Sequence, residues 1–148
     1  MTIRRWTEEQ FDEIGWHDCH VHSWFIEPTE WGSGTLVFDI DFLTEWIRCE
    51  RWLEFEIAPA TVRIHDVCDL RVELDFRGHE MAAFSIDGIE RTVEFDDGKT
   101  RVYRYGIDVN FPNGHIEFLG RGCELELRAD PVRSKDQRLP VDRRVPLR

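Results

Sequence analysis

No uninterrupted apolar run of about 18 residues occurs in this 148-residue chain, so no segment has the composition of a bilayer-spanning helix. The opening stretch, Met1 to Gln10, carries two arginines with no apolar run behind them. This predicts a chain without a secretory signal and hence a cytoplasmic location. Cysteine is sparse. Cys19, Cys49, Cys68 and Cys123 form no C-x-x-C pair, which excludes a thioredoxin-type or zinc-ribbon reading and makes free, buried thiols the default. Phosphate-binding signatures are missing: there is neither G-x-x-x-x-G-K-[ST] nor a G-x-G-x-x-G opening a helix. The hydrolase and metalloprotease signatures G-x-S-x-G and H-E-x-x-H are absent too. Lysine is nearly absent, since seventeen of the nineteen cations are arginine, a residue whose planar fork grips carboxylates at two points.

Acidic residues are abundant instead. Thirty of them give a formal charge of −11, a field that repels nucleic acid and anionic lipid and attracts a basic protein or a cation. The charge is uneven: Arg128 to Arg148 carry +4, and residues 1–127 carry −15. The basic tail and the tryptophans lie at opposite ends of the chain, so no basic patch is interleaved with aromatics, and nucleic acid is not expected as a partner. With 41% hydrophobic residues, the chain has material for one core and one domain.

Period-two alternation dominates. Leu36, Phe38, Ile40 and Phe42 alternate with Val37, Asp39 and Asp41, and Leu70, Val72, Leu74 and Phe76 alternate with Arg71, Glu73 and Asp75. Ile107, Val109 and Phe111 follow the same rule, the pattern of antiparallel strands with one packed face and one wet face. Asp87-Gly88, Asp96-Asp97-Gly98-Lys99, Pro112-Asn113-Gly114-His115 and Gly120-Arg121-Gly122 supply the turns. The spacing predicts strands near 18–26, 34–42, 52–58, 60–66, 69–76, 82–95, 101–111, 114–119 and 123–128. Thr7-Glu8-Glu9-Gln10 reads as a capping box opening a short amphipathic helix, and Phe42 to Ile47 reads as a helical turn or a strand end. The expected fold is mainly β: an antiparallel β-sandwich or open curled barrel over residues 1–128, with a short N-terminal helix. Alternation stops at residue 129. Pro131, Pro140 and Pro146 among charges make 129–148 an extended tail, expected as a strap on an acidic surface of its own body or of a second copy.

Three groups of residues bear on function. In Trp16-His17-Asp18-Cys19-His20-Val21-His22, strand geometry puts Asp18, His20 and His22 on one face, a pattern that suits a divalent metal such as zinc or iron. Asp39 and Asp41 share another strand face at about 6.5–7 Å, suited to bridging a cation or to paired acid–base work. An aspartate pair on a wet strand face is the plainer alternative. All six tryptophans fall within the first 52 residues. Trp16, Trp24 and Trp46 are expected inside, with Trp6 and Trp31 the more exposed and therefore the candidates for contact with a partner.

Trp16-His17-Asp18, then Phe38-Asp39-Ile40-Asp41-Phe42 with Trp46, then Pro59-Ala60-Thr61-Val62 leading to Asp69-Leu70, resemble a group of short uncharacterised bacterial proteins. The likeness spans residues 16–76 and implies a bacterial, cytoplasmic, single-domain protein with no assigned activity and no catalytic residue to transfer. Acidic, compact chains of this type resemble immunity proteins of toxin systems. Three readings follow. The first is a non-enzymatic module that binds a basic protein. The second is a metal-binding protein or metal-dependent enzyme built on Asp18, His20, His22, Asp39 and Asp41. The third is a homo-oligomer held together through the C-terminal tail.

Overall fold

A computed structural model describes residues 4–30 and 32–147. Among the described residues nine strands form one antiparallel sheet: β1 (Arg5–Trp6), β2 (His20–Pro28), β3 (Gly34–Arg48), β4 (Leu53–Leu74), β5 (Phe84–Asp96), β6 (Arg101–Asn110), β7 (Gly114–Gly120), β8 (Cys123–Leu127) and β9 (Val132–Ser134). The mainly β expectation holds. The sheet curls until β7, reached through β3, β2, β5 and β6, pairs with β4 again and closes a circuit of six strands. The seam between β2 and β5 is its narrowest join, two residue pairs long. Inside lie Leu36, Ile40, Ile64, Tyr105, Ile107, Ile116 and Phe118, all essentially without solvent contact.

β4 organises the whole. One of its edges takes β3, and the other takes β7, β8 and β9 in turn, so the chain from Gly114 to Ser134 runs antiparallel along it. The three strands expected over 52–58, 60–66 and 69–76 are therefore one. Pro59 does not break it, because its carbonyl accepts from the Arg128 amide at 2.8 Å, placing its missing N–H in the gap between β8 and β9. Asp66 and Asp69 take left-handed φ of 52°, a conformation aspartate tolerates, and bend β4 as its partner changes from β8 to β7. Gly114 has no alternative, since a Cβ there would lie 2.4 Å from the Glu73 carbonyl.

Two local expectations change. Phe42 to Ile47 is strand, because β3 continues to Arg48 against Leu53–Ile57 of β4. The N-terminal helix is a 3-10 helix over Glu8–Glu13, held by the Thr7 amide on Gln10 Oε1 at 3.0 Å and by buried Phe11. Its Glu8 pairs with Arg91, whose guanidinium lies 4.0 Å from the ring centres of both Phe11 and Tyr103. No helix among the described residues is long and apolar enough to cross a membrane.

The tail lies against its own body. After β9 it crosses the outer face of β3, buries Leu139 to 5% exposure and makes a 3-10 turn at Val141–Arg143. This explains a run of ten buried residues at the start of β3, where alternation alone predicts every second one wet.

Candidate functional site

Beneath the tail, the structure joins the two faces that the sequence left separate. β2 pairs with β3 so that His20 stands opposite Asp41 and Ser23 opposite Asp39, and a bulge between Val21 and Ser23 sets His22 beside the carboxylates. His22 Nε2 donates to Asp41 Oδ2 at 2.6 Å. Asp41 has no solvent exposure, and its Oδ2 also accepts the Leu139 amide at 2.9 Å. Arg144 clamps the pair: its Nε reaches Asp41 Oδ1 at 2.9 Å, and its two terminal nitrogens reach Asp39 at 2.9 and 2.8 Å. Arg128 adds a bond to Asp39 at 2.5 Å and bonds to the Ala60 carbonyl at 2.6 Å, Thr61 Oγ1 at 3.0 Å and the Val145 carbonyl at 3.0 Å. Asp18 sits in the turn before β2 with φ 63° and accepts from Gln137 of the tail at 3.1 Å.

Burial by itself would raise the carboxyls of Asp39 and Asp41. Hydrogen bonds from Arg144 and Arg128 to Asp39, and from His22 and the Leu139 amide to Asp41, more than offset it and hold both below the usual carboxylate range. Burial, with Arg138 nearby, pushes His20 below the ordinary histidine value, and its buried Nδ1 finds no hydrogen-bond partner among the described residues. Burial pushes the Cys19 thiol up to about 12, so it is a poor nucleophile beside the histidines.

Four of the five residues proposed as metal ligands, His20, His22, Asp39 and Asp41, thus share one place, and Asp18 joins them through the tail. The carboxylate oxygens are engaged by arginine, histidine and a backbone amide, an arrangement that clamps a strap. Among the described residues no group of three or more His, Cys, Asp or Glu side chains is arranged to hold a metal ion. Sequence reasoning missed Arg128 and Arg144. Their signal was there, in a tail whose positive charge is carried almost wholly by arginine, yet nothing in the spacing matched each one to a carboxylate some hundred residues away.

The tryptophans distribute differently from expectation. Trp16 is buried and Trp24 half-buried. Trp46, expected inside, is 43% exposed, because the tail covers only the first part of β3 and leaves this ring to pack edge-on against Phe55 and to stack on His17. Trp52, at the tip of the β3–β4 hairpin, is 53% exposed, with exposed Leu53 beside it. Trp6 is partly buried, its ring edge-on to Phe42 at 5.3 Å. Trp31 lies outside the described residues. The exposed rings share the hairpin end with the carboxylates of Glu45 and Glu50, both exposed.

No family model, curated protein or solved structure matches the chain.

Proposed function

We propose that this chain is a non-enzymatic binding module for a basic protein, acting in the manner of an immunity protein, with the β3–β4 hairpin end as its contact surface. The observation that carries this reading is the exposure of Trp46 and Trp52 together at one end of an acidic body. Large amphipathic rings in the open are the usual anchors of a protein interface, and a charge of −11 steers a cationic partner toward them. Reading the Asp39–Asp41 pair as a clamp also supports it, because that reading removes the most reactive-looking carboxylates from any catalytic role. A metal site on His20, His22, Asp18, Asp39 and Asp41 would require Arg128 and Arg144 to leave, and we favour the binding reading for that reason.

The test immobilises the full chain and a Trp46→Ala/Trp52→Ala variant and exposes both to lysate of the cells that make it. A basic protein retained by the native chain, lost from the variant and released by 0.5 M salt, roughly the range where screening shortens to a few ångströms, supports the proposal. Equal retention by both chains, or binding indifferent to salt, refutes it.

A further inference from the structure

The tail beyond β9 is attached in an unusual way. β9 itself belongs to the sheet, with three residue pairs to β4. From residue 135 onward, the backbone–backbone hydrogen bonds of the described tail are internal: Arg143 to Pro140 and Arg144 to Val141. What ties residues 135–147 to the body is the Leu139 amide on Asp41, the Leu139 side chain in the core, the Arg144 fork on Asp39 and Asp41, Gln137 on Asp18, and Arg128 reaching up to the Val145 carbonyl. This is how a bound peptide is held, by one apolar anchor, one charged fork and few main-chain bonds, and it contrasts with the ladder that holds a strand. Most of its other side chains, from Lys135 to Arg143, are exposed, and the cleft of about 600 Å³ between it and His20 and His22 is not filled by packing.

We infer that residues 135–147 are an exchangeable latch: the strip formed by Asp18, Asp39 and Asp41 is a receptor for an extended segment with a leucine followed five positions later by an arginine, and the chain's own tail is its resident occupant. A competing segment enters by displacing the tail, so the latch keeps the strip closed until that happens. This stands apart from the hairpin-end reading, which involves other residues and can fail alone. Joined covalently, the resident tail competes at an effective concentration of about millimolar, so a segment from outside must outcompete it to enter the strip.

The probe is a fluorescent peptide of residues 135–147, titrated into the native full chain and into a full-length Leu139→Asp/Arg144→Glu variant whose body is unchanged. The peptide is expected to bind the variant at least tenfold more tightly than the native chain, and a peptide carrying the same two changes is expected not to bind. Equal affinity for both chains, or for both peptides, overturns the latch. Hydrogen exchange on the native chain gives an answer independent of the variant's folding. The Leu139 amide, buried and bonded, is expected to exchange at least tenfold faster than the Ile40 and Ala60 amides beneath it, and equal protection would make the tail a permanent part of the fold. Reciprocal exchange between two copies would appear as a dimer of the native chain at high concentration that the variant does not form, and it counts for the latch as well.

Discussion

The two halves of β3 belong to one continuous strand and meet opposite fates. From Gly34 to Leu43 both faces are buried, one by the barrel interior and one by the tail. From Thr44 to Arg48 the strand is mostly exposed, and a tryptophan lies in the open. The difference lies in what crosses the strand. Aspartates can be buried in the first half because Arg128 and Arg144 arrive with them, and buried carboxylates are tolerable only when fully bonded. In the second half the tail does not cross, and Trp46, packed edge-on against Phe55 and stacked on His17, stays partly exposed.

Breaking the covered half should have the largest effect. Asp39→Ala strips the shared carboxylate from two nearly buried guanidinium groups, and should cost about 3–5 kcal/mol in urea unfolding, the penalty for orphaning a buried charge. Leu139→Ala, by contrast, removes an apolar anchor and leaves the ion pairs, and should cost about 2–3 kcal/mol in the same assay.

Acid should act on the covered half in two stages. His20 has a lowered folded value, so its contribution is present above about pH 6.5 and fades as the unfolded state takes up a proton below that. Asp39 and Asp41 also have lowered folded values. Their contribution is complete above about pH 4 and is lost as pH falls through their folded values. Thermal melts should therefore show a shallow decline from pH 7 to 5 and a steep one below 4. In Asp39→Ala the steep part should shrink, and a profile identical to the native one would contradict the assignment. At the uncovered half, Trp52→Ala should change stability by no more than about 0.5 kcal/mol in denaturant, as expected of an exposed side chain that the core does not use. A larger loss would mean that the ring packs internally and would weaken its role as an anchor.

Much of the fold was legible because strand alternation and turn chemistry are local signals. The turn at Asp96 to Thr100 shows this: Asp96 Oδ1 caps the Gly98 amide at 2.9 Å, Asp97 Oδ1 caps Lys99 and Thr100 at 2.9 and 2.7 Å, and Gly98 takes φ 83°. The merging of three strands into β4 was not legible, because Pro59 normally signals a break and only the gap between β8 and β9 accommodates it. The site was half legible. His20, His22, Asp39 and Asp41 stood out as residue types, but their convergence depended on β2 being the neighbour of β3 and on the bulge at His22. Trp46 was misplaced because burial there depends on how far the tail reaches.

The sequence by itself determined an antiparallel β body with surplus negative charge and an arginine-bearing, proline-broken tail, because periodicity, turn residues and charge are written along the chain. Which edge meets which, that one sheet closes on β4, and that Arg144 seats between Asp39 and Asp41 were decided only by the tertiary structure. Those pairings join residues as distant in sequence as Arg5 and Glu126, or Asp39 and Arg144, where the partner is chosen by the shape and charge of the whole assembled surface.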